Sequence, residues 1–335
     1  MKSFEPKDLP INLVQQFLLG GVAPRPIALV STISTDGINN LAPFSFYNAF
    51  GANPPIVAFS PARRGRDNVL KDTYGNLIET NECVINAVSY SMVEQINLAS
   101  CEYPKETDEF VKSGFTAINS DLVKAKRVKE SLFQMECKLL QMLHTGDTNG
   151  AANIAICEVV KFHINEEIIP SDGIGVDSFK LDLIGRSGGN LYTRANDQSL
   201  FEVRKPGIMK GMGFDNLPSF LLNSEILSAN NLAQIAVNDT FPDYQDTLNW
   251  LDLLKSDFQI TNLENANLEP SNESLYVENN DYMKLFLLGL NSNQRQQLLI
   301  EKSIKCALNL NAKKVNNEII VDVLNIINWF INSNK

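Results

Sequence analysis

From Pro26 to Ile164 the sequence is a succession of short apolar, β-branched runs, each ended by residues that break a strand. PIALVSTI (26–33) stops at Ser34-Thr35-Asp36-Gly37, and Asp-Gly is a strong hairpin-turn dipeptide because both residues tolerate the backbone such turns require. IVAFS (56–60), ECVINAV (82–88), FQMECKLLQMLH (133–144) and IAICEVVKFHI (154–164) follow, separated by Gly, Asn, Asp or Pro. That spacing predicts a mainly β, antiparallel architecture rather than alternating βαβ units.

Helical insertions interrupt the pattern. In DNVLKDTYGNLIET (67–80), Val69, Leu70, Tyr74 and Leu77 recur at helix-like intervals despite Gly75, which predicts one or two short helices. VEQINLAS (93–100) and the stretch near Thr107–Val111 predict two more. Beyond about Pro206 the composition shifts toward Leu, Asn and Ile. Longer periodic segments at Leu217–Ser228, Tyr244–Phe258, Tyr282–Leu290, Gln294–Leu310 and Glu318–Asn332 predict a mostly α-helical C-terminal extension. Thr261–Asn280, rich in Asn and Glu and carrying Pro270, reads as a linker or loop. The expected division is residues 1–206 and residues 207–335, which suits a chain of 335 residues.

Composition excludes several function classes. A net charge of −10 repels phosphate backbones, so no nucleic-acid partner is expected. His144 and His163 are the two histidines, neither in a metal-ligand spacing, and the five cysteines form no C-x-x-C pair, so no protein-held metal is expected. Cys83 and Cys157 fall in strand-like runs and read as inert buried thiols. The opening MKSFEPKDLPINL carries acidic residues and prolines where a secretory signal needs an uninterrupted apolar stretch, and no run approaches a membrane span. A soluble, cytoplasmic protein is expected, away from membranes. The apolar stripe Ile319, Ile320, Val323, Leu324, Ile327 and Phe330 reads as core packing or dimer burial.

The most informative stretch is PRPIALVSTISTDGINNLAPFSFYNAFGANPPIVAFSP (24–61), followed by RRGRDNVLKDT (63–73). It joins two strands through a small, hydroxyl- and amide-rich connection, then offers basic and hydroxyl groups at a helix start. That combination suits a flat polar ring with a phosphate tail, which needs apolar contact, edge hydrogen bonds and cationic or backbone N–H donors. Asn40, Ala42, Pro43, Phe44 and Ser45 offer the ledge; Arg66, Asn68, Lys71 and Thr73 offer the phosphate end. Taken one at a time, Arg66, Lys71 and Asp72 read as a solvated helix face, and Ser45 and Thr73 as local backbone caps.

Taken as an ordered set, PRPIALVST, the DG turn, NLAPFSFY, NPP and KDT resemble the flavin reductase-like FMN-binding split-barrel family, which includes the small flavin-supplying components of two-component monooxygenases. The resemblance continues through ECVINAVS (82–89), Glu109–Gly114, ECKLLQ (136–141), CEVVKFHI (157–164) and GRSGGNLYTR (185–194), and covers roughly residues 20–205. LPSFLLNSEILSANNLAQIA is similar to a tail of longer members. The resemblance implies a Greek-key split barrel that forms a homodimer with FMN near the interface. Ring and ribityl contacts would fall on Asn40, Ala42, Pro43, Phe44, Ser45, Phe46 and Tyr47 and on Phe59, Ser60 and Pro61. Phosphate contacts would fall on Arg66, Asn68, Lys71, Asp72 and Thr73, with Arg63 or Arg64 as alternatives in the arginine-rich SPARRGRDN. Arg186, Gly188, Gly189 and Tyr192 would approach the flavin from a late strand.

The implied function is NAD(P)H:flavin reduction, with hydride passing from nicotinamide to flavin N5. FMN or FAD, and NADH or NADPH, stay open, as does the acceptor, a monooxygenase or another electron-acceptor protein. No G-x-G-x-x-G fingerprint follows a strand, so nicotinamide would stack directly on the flavin. No catalytic side chain is required, because the cofactor carries the chemistry. The alternatives are an FMN-binding electron-transfer protein that does not oxidise NAD(P)H, and a relative without cofactor.

Overall fold

The computed structural model describes residues 1–257, 273–279, 281–290, 296–313 and 317–333. The chain divides into two compact units, Met1–Leu200 and Phe201–Lys335.

Unit 1 opens with helix α1 (Ile11–Gly21) and the strands β1 (Arg25–Pro26), β2 (Ala28–Ile33), β3 (Asn39–Phe44), β4 (Tyr47–Ala52) and β5 (Pro55–Phe59). Helix α2 (Asp72–Thr80), β6 (Glu82–Ala87) and helices α3 (Val93–Ala99) and α4 (Glu109–Ser113) follow. Then come β7 (Ala117–Ile118), β8 (Arg127–Val128), the long β9 (Phe133–His144) and β10 (Asn153–Ile164), helix α5 (Ser178–Leu181), β11 (Ile184–Arg186) and β12 (Tyr192–Arg194).

Seven strands form one antiparallel sheet in the order β3-β2-β6-β9-β10-β5-β4. Its two edges, β3 and β4, are joined by Ser45 and Phe46 alone. A residue spans at most about 3.6 Å of extended chain, so this link forces the sheet to curl until its edge strands meet at one corner. Ser60 N–H donates to the Phe46 carbonyl at 2.9 Å and ties β5 to that corner. The β2–β3 hairpin closes through Ser34 N–H to the Ile38 carbonyl at 2.9 Å and Gly37 N–H to the Ser34 carbonyl at 3.0 Å. Gly37 has φ +85°, the left-handed backbone that the Asp-Gly pair anticipates.

Side chains alternate across the curl, as strand geometry requires. Ala28, Val30, Val57, Phe59, Ile85 and Cys157 share the inner core, into which α2 inserts Leu77. Leu29 and Leu41 point the other way, into a second core that Met92, Ile96 from α3 and Phe110 from α4 complete. Burying one such large side chain stabilises by about 1.5–3 kcal/mol.

The expected helices in unit 1 appear at α2, α3 and α4. The turn that ends α2 uses Asn81 in the left-handed region, with its N–H on the Leu77 carbonyl at 3.0 Å. Helix α1 was not expected. No residue of it is buried.

Unit 2 contains α6 (Ser219–Leu222), α7 (Ala229–Ala236), α8 (Tyr244–Asp257), α9 (Glu273–Glu278), α10 (Tyr282–Leu290), α11 (Gln296–Lys313) and α12 (Asn317–Ser333). Its core gathers Leu232, Leu251, Phe286, Ile300, Ile304 and Ile327. The stripe on α12 packs into this core, with Ile320, Val323, Ile327 and Phe330 buried and Ile319 and Leu324 against it. The single segment expected over Leu217–Ser228 is instead a four-residue helix and a turn. Ser224 Oγ accepts from the N–H groups of Ile226 and Leu227, both at 3.1 Å, and Ser228 then caps α7 with a reciprocal Asn231 contact. Hydroxyl and amide side chains that bond nearby backbone compete with helix continuation. Of the expected linker Thr261–Asn280, residues 261–272 and 280 lie outside the described residues, while 273–278 are helical. Phe258 and residues 294–295, expected at helix ends, also lie outside them. Among the described residues no helix is long and apolar enough to cross a membrane.

Candidate functional site

A cleft of about 840 Å³ opens in unit 1 where the curled sheet closes. One wall is the end of β3 and the two-residue corner, which bring Asn40, Ala42, Pro43 and Ser45 to the surface of the cleft. Another is the loop after β5 with the start of α2, and a third is one face of α1, with Val14, Gln15 and Leu18.

The floor is a buried polar network that fastens β3 to α2 and α4. Thr73 Oγ1 donates to Asn40 Oδ1 at 2.7 Å, and Thr32 Oγ1 lies 3.2 Å from the same oxygen. Asn40 Nδ2 donates to both Glu109 carboxylate oxygens at 3.0 Å, and Leu41 N–H donates to Glu109 Oε2 at 2.8 Å. The Asn40 amide is therefore held in one orientation, acceptor toward the hydroxyls and donors toward the carboxylate. Burial pushes the Glu109 carboxyl up to about 7; the bonds from Leu41 and Asn40 oppose that rise and the nearby Asp72 charge adds to it.

The rim is basic. Arg63, Arg64, Arg66 and Lys71 line the cleft, Lys71 at the N-cap of α2, where the helix dipole favours an anion. The loop that carries the arginines is built around Asn68, which has φ 61°. Asn68 N–H bonds the Arg64 carbonyl at 3.0 Å, and its Nδ2 bonds the Asp147 carbonyl at 2.9 Å. Arg64 Nη1 pairs with Glu102 at 2.9 Å, and Arg66 pairs with Glu102 and Asp67. Arg63 Nε, Arg64 Nε and Ser60 Oγ are buried without a hydrogen-bond partner, and all three residues line the cleft. Arg64 Nε lies 3.3 Å from Asp67 Oδ1 but outside hydrogen-bonding geometry. A buried polar group left unpaired costs about 1–3 kcal/mol, so such donors mark a place where a ligand acceptor fits.

Of the residues expected to bind, Asn40, Ala42, Pro43, Phe44, Ser45, Phe46, Ser60, Arg66, Lys71, Asp72 and Thr73 line this one cleft, together with the alternatives Arg63 and Arg64. Four do not. Phe59 is 1% exposed and packs on Phe44 with ring centroids 5.4 Å apart, and Tyr47 packs against the same inner core. Pro61 is buried with its carbonyl taken by Asn153 Nδ2 at 3.2 Å, and Asn68 shapes the arginine loop. Arg66 is the most exposed of the arginines, its side chain 66% open, against 19% for Arg63 and 23% for Arg64. Arg186 and Tyr192 stack on each other at 4.5 Å on β11 and β12; they and Gly188 and Gly189 lie outside the cleft lining.

Sequence reasoning missed three contributors: Glu109 as the floor carboxylate, Glu102 at the rim, and α1. For α1 a signal existed, since Leu13, Val14, Phe17 and Leu18 follow Pro10 at helical spacing. For Glu109 the sequence marked the family-like stretch Glu109–Gly114 but not its place in the floor, because its partners lie 68 and 69 residues away.

The histidines lie outside this lining. His144 Nε2 meets Tyr74 OH at 2.9 Å, and His163 Nε2 meets Glu136 at 2.6 Å. Glu136 also accepts from the N–H groups of Asp121, Leu122 and Val123, so the grouping of Asp121, Glu136 and His163 is a hydrogen-bonded loop clamp. Cys83 and Cys157 sit in the inner core, where hydrogen bonding with Cys137 and burial hold the Cys83 thiol well above the usual range against the opposing contact with Cys157, and hydrogen bonding with Cys83 and burial hold Cys157 above it.

Residues 20–173 match the model of the flavin reductase like domain. A protein of Aquifex aeolicus is 39% identical over 200 residues, 60% of this chain and 99% of the relative. The crystal structure of nitrilotriacetate monooxygenase component B from Bacillus cereus is similar at 31% identity with a TM-score of 0.56, covering 61% of this chain and 98% of that one. A chain with a split barrel domain from Shewanella frigidimarina, at 24% identity and a TM-score of 0.52, covers 61% and 100% and shares the fold. The chain belongs to the flavin reductase-like family, and the curled sheet of unit 1 is its split barrel.

Proposed function

We propose that the cleft of unit 1 binds FMN and that the protein is an NAD(P)H-dependent flavin reductase, its flavin-binding part residues 1–206 and residues 207–335 a helical extension. The observation that carries this reading is one cleft in which a flat, short-chained ledge adjoins two arginines whose buried Nε groups lack a hydrogen-bond partner. Ala42 and Pro43 present apolar surface without long side chains, which suits a planar ring. Ser60 Oγ, the Arg63 and Arg64 guanidinium groups and Lys71 at the α2 N-terminus suit a single phosphoryl group, which favours FMN over FAD.

Bound FMN would supply the N5 position that accepts hydride from nicotinamide. The chain's own task is to bind and orient. The Asn40–Thr73–Glu109 network fixes the β3 backbone on which the ring would lie, and N–H groups of the connection after Asn40 would stabilise negative charge on the pyrimidine edge. The apolar residues of α1 would exclude water from one side.

A homodimer with the site near its interface is part of the proposal. Strand β4 is a sheet edge, exposed from Asn48 to Ala52 and carrying Phe50 at 70% exposure, which is the kind of edge a second copy would cover. The likeness to a monooxygenase component B supports delivery of reduced flavin to a separate oxygenase or other acceptor, with the cytoplasm as the proposed setting.

The test is FMN titration followed by flavin fluorescence, with NAD(P)H oxidation measured with and without added FMN. Saturable FMN binding and flavin-dependent oxidation are expected; a protein that binds no FMN and leaves NADH and NADPH untouched would overturn the reading.

A further inference from the structure

Glu102 is a carboxylate of the cleft lining paired directly with two of the arginines considered for holding a phosphate. Its Oε2 accepts from Arg64 Nη1 at 2.9 Å and from Arg66 Nη2, and Glu102, Arg64 and Arg66 all line the cleft. One carboxylate oxygen bridging two guanidinium groups makes the same charge-assisted contacts that one phosphoryl oxygen would make. The two acceptors need the same N–H donors.

The segment bearing Glu102 is fastened on both sides. Ser100 N–H and Oγ donate to the Asn97 carbonyl at 3.2 and 2.6 Å, and Cys101 N–H donates to the Leu98 carbonyl at 3.0 Å. Thr107 N–H donates to the Pro104 carbonyl at 2.9 Å, and Lys112 Nζ sits 5.9 Å over the Tyr103 ring. Asp67 also pairs with Arg64 and Arg66, but it lies outside the lining and accepts from Val69 N–H at 3.2 Å, so its work is to shape the loop. Glu102 shapes no loop by a comparable bond; among the described residues its partners are the two arginines.

We infer that Glu102 competes with the phosphate of a bound flavin for Arg64 and Arg66, and so sets this site to exchange flavin rather than to retain it. This rests on the FMN reading above. An exchanging site suits a protein that must hand its reduced product to another, whereas a site with both arginines uncontested would hold FMN as a fixed group. Glu102 acts by occupying the arginines and is a specificity-determining residue, not a catalytic one.

The experiment compares FMN with riboflavin, which lacks the phosphate, on the full chain and on Glu102→Gln. The substitution keeps the size of a half-exposed side chain and removes its charge. FMN is expected to bind Glu102→Gln roughly threefold to tenfold more tightly, with a correspondingly slower release, as the loss of partly exposed ion pairs implies. Riboflavin affinity is expected to stay the same, which also reports that the variant is folded. Unchanged or weaker FMN binding by Glu102→Gln, or equal tightening of riboflavin, would overturn the inference while leaving the FMN site standing. Failure of both proteins to bind either flavin would overturn the FMN reading and this inference with it.

Discussion

Glu109 is 8% exposed, accepts from the Asn40 amide and from Leu41 N–H, and has its carboxyl raised by burial from 4.5 to about 7. The folded chain therefore holds this proton more tightly than the unfolded chain. Its contribution to stability is full below about pH 4.5 and is lost as pH rises through about 7. Thermal unfolding of Glu109→Gln should accordingly show a flatter pH dependence than the native protein across that window; parallel curves would contradict the assignment. Asn40→Ala removes the amide that joins Glu109 to Thr73, and leaving those groups unmatched should cost about 1–3 kcal/mol in urea unfolding and weaken FMN binding. At this scale NLAPFSFY and KDT were legible as motif, but the sequence does not show that Asn40 and Thr73, 33 residues apart, bond each other. Arg63 and Arg64 could be named only as alternatives to Arg66, because burial is set by the turn at Asn68 and by contacts to the distant β9–β10 connection.

Strands made of β-branched apolar runs closed by turn residues were the most open to reading, because they have few other ways to bury one face, whereas β3 and β4 fall in the stretch that reads as a connection between two strands. The helices packed on the sheet were legible in outline. For helix α1 the spacing of Leu13, Val14, Phe17 and Leu18 was legible but its place was not, since none of its residues is buried and its place depends on a contact made elsewhere. That contact is Arg25, 4% exposed, whose Nη1 donates to the carbonyls of Leu19, at 2.6 Å, and Val22, at the C-terminal end of α1, and whose Nε lies 3.4 Å from Ser45 Oγ. A cation on helix C-terminal carbonyls is stabilising, and here it ties a helix with little burial of its own to the corner of the cleft. Arg25→Met should speed amide hydrogen exchange over residues 11–22 by about tenfold or more, as expected when a weakly packed element loses its anchor. Exchange unchanged in that segment would show that α1 is held by other means. In α2, Leu77 is fully buried in the inner core, and Leu77→Ala should lower unfolding free energy by about 2–5 kcal/mol.

For the molecule as a whole, the split between a strand-rich first part and a helical second part was visible as a change of hydrophobic period near Pro206, close to where the second compact unit begins at Phe201. The role of the helices in unit 2 was not visible, because a buried apolar stripe looks the same whether it closes a core or meets a partner; on α12 it closes a core. Each unit has a core of its own, and the similar Aquifex protein aligns over 200 residues. Residues 1–200 expressed alone should therefore fold and bind FMN as the full chain does; an unfolded product would show that unit 2 is needed for the first unit's stability. The proposed activity is hydride transfer from nicotinamide to a flavin held in the unit 1 cleft. It is tested most directly by mixing FMN-loaded protein anaerobically with NADH, and separately with NADPH, in a stopped-flow instrument while following oxidised-flavin absorbance. Rapid bleaching with at least one donor is the expected result, and firmly bound FMN that neither donor bleaches would contradict it.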